Sequence, residues 1–192
     1  MYKACKTEQS AARQRELEQG LLAAMISHPF DEISISDLCT QIGIPRKSFY
    51  RYFSSKEGAL HALLDHTLME METVYLTAEG DNSVPFTKEL ERFFQDWKDK
   101  KPLLDALNRS GLSNLLIERA VELAVSSNIG TTNRLLFREG NQQKGHATAF
   151  LICGLMSTVL QWHHSGYQES PAQMAQIAFR LLTQPLIPEQ KP

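Results

Sequence analysis

Ser34-Ile35-Ser36-Asp37-Leu38-Cys39-Thr40-Gln41-Ile42-Gly43-Ile44-Pro45-Arg46-Lys47-Ser48-Phe49-Tyr50-Arg51-Tyr52-Phe53 reads as two short helices on either side of a glycine turn. Ser34 with Asp37 three residues on has the form of a capping box, the hydroxyl taking a free amide while the carboxylate reaches back. Ile35, Leu38 and Cys39 then turn inward and Ile42 completes the stripe. Gly43 stands where a helix can end in the left-handed region. Ile44 plugs the turn, and Pro45 suits the first turn of the next helix. That second helix is too short to be stable alone and must be held by its neighbours. Phe49 and Phe53 share a face with Leu38 and Ile42 and belong to the core. Ser54 and Glu57 form a second capping box that opens a long helix.

Two short helices about such a turn, with basic and polar residues opening the second, make a helix-turn-helix unit. In such units the second helix lies in the major groove and its first residues meet base edges. Arg46 and Lys47 stand there, and an arginine can pair with both guanine acceptors. Ser48 suits a base or a phosphate. Tyr50, Tyr52 and Lys56 fall nearer the DNA backbone, where contacts set register rather than sequence preference. Amides opening the long helix beside Lys56 add a phosphate site. Between Leu38 and Gly58 four basic residues face one acid, on a chain whose formal net charge is −2. The basic character is local, as a single DNA-contacting edge requires.

Outward from this unit the pattern is helical throughout, with no strand alternation, repeat or low-complexity segment. Upstream, Leu17, Leu21, Ala24 and Met25 form one buried stripe with Glu16, Glu18 and Gln19 off it, and Pro29 stops the helix near His28. Downstream, Leu60, Leu63, Leu64, Leu68, Met71 and Val74 line the long helix until Gly80-Asp81-Asn82-Ser83 ends it. Helices are expected over 86–98, 103–108, 113–127 and 146–164. Residues 128–138 are ambiguous and 139–145 read as a loop. Gly154 would let another helix approach closely. Ser170-Pro171-Ala172-Gln173 opens a last helix with Met174, Ile177, Ala178, Leu181 and Leu182 on its apolar side, and Pro185 and Pro188 close the chain. Apolar residues make up 42%, enough for a core. No run approaches the roughly 18 to 20 apolar residues of a membrane span. There is no signal-peptide pattern, and Cys5, Cys39 and Cys153 have neither disulfide-framework nor zinc spacing, so a reduced, cytoplasmic protein is expected. No phosphate-binding glycine loop, nucleophile motif or metal pattern is present, so neither an enzyme nor a cofactor or metal site is expected. His163 and His164 are adjacent and diverge by about 100° on a helix, which rules out joint chelation.

In one register, Ser34-Ile35-Ser36-Asp37-Leu38-Cys39, Gly43-Ile44-Pro45, Phe49-Tyr50-Arg51-Tyr52-Phe53, Lys56-Glu57 and Leu60 resemble the DNA-binding head of the TetR family of bacterial regulators. The likeness covers roughly residues 10 to 65. The rest matches in layout, with 157–182 resembling the family's dimerisation segment. The resemblance implies an all-α chain with a three-helix helix-turn-helix head (1–55) and a helical ligand-binding and dimerisation body (56–192). It implies a homodimer through the last two helices, most often a repressor that a small molecule releases from a palindromic double-stranded DNA operator. Carried over by residue, Ser34 and Ser36 open a helix that touches the DNA backbone, Pro45, Arg46, Lys47 and Ser48 face bases, and Tyr50, Tyr52 and Lys56 hold phosphates. Two positions depart from the pattern: Pro45 replaces a small polar residue, and Tyr52 stands where histidine is common. Since the family's pocket lies in the body, helix placement nominates Met71, Tyr75, Phe94, Trp97, Met156 and Trp162 as its lining, although aromatic and methionine residues there also serve as core. The alternative is a helical adaptor or coactivator that keeps the head but acts through a protein partner.

Overall fold

The structure, a computed structural model, describes residues 2, 3, 5, 7–77, 85–126 and 144–184, with side chains for all of these but 72–77 and 144. Among the described residues there are nine α-helices and no strand. They are α1 (Glu8–Ser27), α2 (Ile35–Ile42), α3 (Arg46–Tyr52), α4 (Lys56–Thr77), α5 (Phe86–Asp99), α6 (Lys101–Arg109), α7 (Ser113–Ser126), α8 (Lys144–His164) and α9 (Pro171–Thr183). The side chains of Val74 and Tyr75, the terminator at 80–83, the ambiguous 128–138, residues 139–143 of the expected loop and Pro185 and Pro188 lie outside the described residues, while Lys144 and Gly145, expected in that loop, already belong to α8.

Helices α1 to α3 form the head. Helix α1 stops where expected: His28 is extended at φ −130°, as the residue before a proline must be. Its stripe of Leu17, Leu21 and Met25 is fully buried. Helix α2 keeps half of the expected capping box. The Ser34 hydroxyl accepts the Asp37 amide at 3.1 Å but donates to the Asp37 carboxylate at 2.6 Å, so that carboxylate is turned to the hydroxyl. Gly43 ends α2 at φ 74°, and the Ile44 amide folds back onto the Cys39 carbonyl at 2.9 Å. Gly20 sets the distance between α1 and α2: a β-carbon there would fall 2.2 Å from Ile42 Cδ1. Two starts differ by one residue from the sequence expectation. Pro45 is the extended residue before α3 rather than part of its first turn. Ser55, not Ser54, caps α4 by accepting the Gly58 amide at 3.2 Å, because Phe53 is still extended and the helix begins later.

In the body, Leu60, Leu63, Leu64 and Met71 of α4 are buried with Leu90, Phe94, Trp97, Leu103, Leu104 and Leu107. Helix α8 packs against α7, while α9 runs along α5, with the Phe86 and Phe179 rings 6.2 Å apart. Tyr167 follows Gly166 in the left-handed region and turns the chain between α8 and α9. The outward face of α8 carries His146, Phe150, Cys153, Gly154, Ser157, Gln161 and His164, and Phe150 is 82% exposed. Nothing within the described chain comes within 4 Å of a β-carbon placed on Gly154. Among the described residues no helix is long and apolar enough to cross a membrane.

Polar groups buried between head and body were not anticipated. Glu18, expected off the buried stripe, is 1% exposed, because α4 covers it and supplies a partner: His66 Nδ1 donates to both of its carboxylate oxygens at 2.9 Å. One helical turn away on α1, Gln14 is also buried and accepts from the Cys5 thiol at 2.7 Å. Buried polar groups are costly to leave unpaired, so the Glu18–His66 pair fixes where α1 sits on α4, and the Cys5–Gln14 bond holds the segment before α1 against it. At the other end of the seam, Arg109 of α6 donates to the Ile26 carbonyl at 2.6 Å, and Ser110 accepts the Phe30 amide at 3.0 Å.

Candidate nucleic-acid interface

Helix α3 divides cleanly by face. Phe49, Tyr52 and the following Phe53 are buried, with the Phe49 and Phe53 rings 5.2 Å apart. Arg46, Lys47, Tyr50 and Arg51 are exposed and Ser48 is half-buried. The core thus holds one side of a helix too short to stand alone and leaves its cationic side to solvent. Arg46 and Tyr50, one turn apart, touch: Nη2 donates to the phenol oxygen at 3.3 Å, with the guanidinium 6.0 Å from the ring centroid. This keeps Arg46 along the helix rather than splayed. Its charge is felt inside the head as well. Burial pushes the Cys39 thiol up, and Arg46 works against that rise.

Ser34 and Ser36 are exposed at the start of α2, beside Asp37. The Ser34 hydroxyl is already engaged as a cap. The backbone carbonyl of Ser36 accepts from Thr40 at 2.9 Å. An adjoining carboxylate makes this end of α2 less inviting to a phosphate than its helix dipole alone would be.

Two expected phosphate holders are placed otherwise. The Tyr52 ring is 8% exposed and belongs to the core. Lys56 turns inward: Nζ donates to the carbonyls of Phe30 at 2.6 Å, Ile33 at 2.8 Å and Asp31 at 3.4 Å. It also lies 4.4 Å from the Phe30 ring centroid. An ammonium has three donors, and all are spent on the connection from Phe30 to Ile33, a short 3-10 turn and the residue that ends it, which joins α1 to α2. Lys56 therefore clamps the head's first connection onto α4. Next to it, the hydrogen bond from Ser55 holds the Glu57 carboxyl below its ordinary range, so the start of α4 also carries a firm negative charge.

Of the residues nominated for a pocket, Met71, Phe94, Trp97, Met156 and Trp162 are all buried, and the Tyr75 side chain lies outside the described residues. Phe94 and Trp162 meet edge to face at 5.6 Å. Trp162 donates to the Glu169 carbonyl at 3.1 Å, whereas the Trp97 indole N–H has no hydrogen-bond partner. A cleft of about 480 Å³ between α5 and α9 is lined by other residues, among them Thr87, Lys88, Glu91, Gln173 and Arg180. His163 and His164 diverge onto two partners in α6, Asp105 at 2.7 Å and Asn108 at 2.8 Å.

A helix-turn-helix head with a cationic α3, carried on a helical body, is the plan of a DNA-binding regulator. A family model described as bacterial regulatory proteins of the tetR family matches residues 20–63, and a second, described as a transcriptional regulator C-terminal region, matches residues 86–184. The chain belongs to the TetR family of transcriptional regulators. No curated protein matches it. Solved structures share the fold. The fatty acid degradation regulator FadR from Bacillus halodurans is 12% identical, with 95% of this chain and 98% of that one covered and a TM-score of 0.60. A tetR-family transcriptional regulator from Streptomyces coelicolor is 22% identical, covering 88% and 81%, also with a TM-score of 0.60. FadR from Bacillus subtilis, solved with stearoyl-CoA, is 13% identical, covering 88% and 96%, with a TM-score of 0.57.

Proposed function

We propose that the protein is a homodimeric repressor that leaves a palindromic DNA operator when a small molecule enters its body. The observation that carries the DNA half is the division of α3. Phe49, Tyr52 and Phe53 anchor it while Arg46, Lys47 and Tyr50 face outward. In this reading Arg46 and Lys47 meet base edges, Pro45 and Ser48 lie against the groove, Tyr50 meets a phosphate, and Ser34 and Ser36 touch the DNA backbone. Tyr52 and Lys56 act from behind, by holding α3 and the 28–33 connection. The head ends at residue 55 and the body begins at 56.

Dimerisation rests on the outward face of α8, where the exposed Phe150 adjoins Cys153, Gly154 and Ser157, residues small enough for a second helix to come close. A two-fold pair of heads would meet half-sites about 34–36 Å apart or a multiple of that. The effector would part the packed Met71, Phe94, Trp97, Met156 and Trp162, beside Tyr75. Such a lining favours a molecule with a large apolar portion, and FadR from Bacillus subtilis holds stearoyl-CoA on the same fold. The deciding experiment is binding of the purified protein to the DNA flanking its own gene against random duplex. Selective binding by a dimer supports the repressor. Equal, weak binding to both overturns it in favour of an adaptor working through a protein partner.

A further inference from the structure

We propose that Tyr2, Asp65 and Arg119 form a latch through which body helix α7 sets the placement of the recognition helix α3. The proposal rests on the reading of α3 as the DNA-contacting element only for its consequence, not for its mechanics. Asp65 of α4 is 1% exposed, so water cannot serve its carboxylate. Three donors serve it instead. Arg119 of α7 gives Nε to Oδ1 and Nη2 to Oδ2, both at 2.7 Å, and the Tyr2 hydroxyl gives a third bond to Oδ2 at 2.7 Å. Tyr2 belongs to the segment before α1. Its backbone forms an antiparallel bridge with Phe53, and the Lys3 amide donates to the Tyr52 carbonyl at 3.0 Å. The end of α3 is therefore tied by its main chain to a residue whose side chain is tied to a body helix 54 residues beyond Asp65. The Tyr2 ring also stands edge-on to His66 at 5.7 Å, and His66 holds Glu18 of α1.

The two donors cooperate because they share one acceptor. Arg119 supplies the guanidinium partner that water cannot, and a carboxylate held from both sides by donors presents its oxygens in fixed directions to the phenol. Burial, together with the Asp65 hydrogen bond, pushes the Tyr2 phenol up to about 12, so it remains a donor. If α7 moves and Arg119 withdraws, the buried carboxylate is left with one donor and must shift or admit water. Either change weakens its hold on Tyr2, and the Tyr2–Phe53 bridge loses its anchor. Helix α7 packs on α8 as well as on α4, so a rearrangement of the body has a route to α3 that bypasses the bending of α4.

The test is hydrogen–deuterium exchange of the full chain without DNA or effector, so its failure is separate from any failure of the DNA reading. Arg119→Met touches nothing in the head, yet should speed exchange of the Lys3 amide and of 50–53 by about tenfold more than it speeds the slowest amides of α5, a ratio that divides out the global loss of stability. Tyr2→Phe should do the same to those amides. It should also speed exchange around residue 119, since coupling is reciprocal. The double variant should exceed neither single. Acceleration confined to α7 in Arg119→Met, or to the leading segment in Tyr2→Phe, overturns the latch, as do strictly additive effects in the double variant. Should Arg119→Met fail to fold, Arg119→Lys, which cannot reproduce the two-bond fork to Asp65, should itself speed exchange at the same amides, and no acceleration there overturns the proposal.

Discussion

The outer edge of α3 and the inner seam between head and body use the same residue types for opposite work. Arg46 and Tyr50 stand one turn apart at the surface, with a single 3.3 Å bond between them. Arg119 and Tyr2 converge on a carboxylate that water does not reach. At the edge, charge is screened and side chains remain free to meet an outside partner. In the seam, a charge deprived of one partner has nothing to replace it. Substitutions at the edge should therefore move DNA affinity and leave folding alone, and those in the seam should do the reverse.

The largest effect that could break this contrast is in the seam. Arg119→Ala leaves Asp65 buried with one donor and should cost about 3–5 kcal/mol of folding stability. Urea denaturation of wild type and variant at equal protein concentration measures it. A loss below about 1 kcal/mol would place the pair with ordinary surface bridges and erase the distinction.

Next in size is the edge. Arg46→Ala should cost about 1–3 kcal/mol of binding per half-site and relax preference at one base position, with the urea midpoint unchanged. Anisotropy titrations on a specific and a random duplex check it. Equal losses on both duplexes would make Arg46 a phosphate contact. Lys56 sharpens the line between the regions, since its position suggests the edge and its bonds belong to the seam. Lys56→Met should lower stability by about 1.5 kcal/mol as three carbonyls lose their donor. It should leave the salt dependence of DNA binding nearly unchanged, because no phosphate contact is lost. A flatter salt dependence with intact stability would return Lys56 to the phosphate role.

The head was legible because its signals are local. Ser34, Gly43 and Pro45, and the spacing of Leu38, Cys39, Phe49 and Phe53, lie within twenty residues, and each acts through its immediate backbone or its own face. The buried acids were not. Glu18 finds His66 at a separation of 48 residues and Asp65 finds Arg119 at 54, and nothing near either acid marks it as paired. An acid beside an apolar stripe reads as solvated until the covering helix is known. Lys56 misled for a related reason: a lysine at a helix start next to a DNA-facing unit has the same sequence signature whether it turns to a phosphate or to carbonyls. Gly20 left no mark either, since its role lies in how closely Ile42 approaches. In the body, the apolar periodicity located helices but could not pair them within the chain, where α8 lies on α7 and α9 on α5.

The smallest effect is expected at Pro45, where the two regions meet on one residue. Its φ of −67° is the value a proline ring imposes, so the ring restricts the unfolded chain at no cost to the fold. In exchange α3 has no side-chain cap. Pro45→Ser would supply one, a gain of about 1 kcal/mol relative to a residue that cannot cap. It would also release the restriction on the unfolded chain, a loss of about 0.4–1 kcal/mol. The two nearly cancel, and the urea midpoint should shift by less than about 0.5 kcal/mol in either direction. DNA binding would have no such cancellation: on the proposed placement of Pro45 against the groove, a hydroxyl in place of a ring changes which bases can be approached. A selection of bound sequences from a random pool should therefore show altered preference near the base met by Arg46, at unchanged stability. An unchanged preference would mean that Pro45 faces away from the groove and that base reading begins at Arg46.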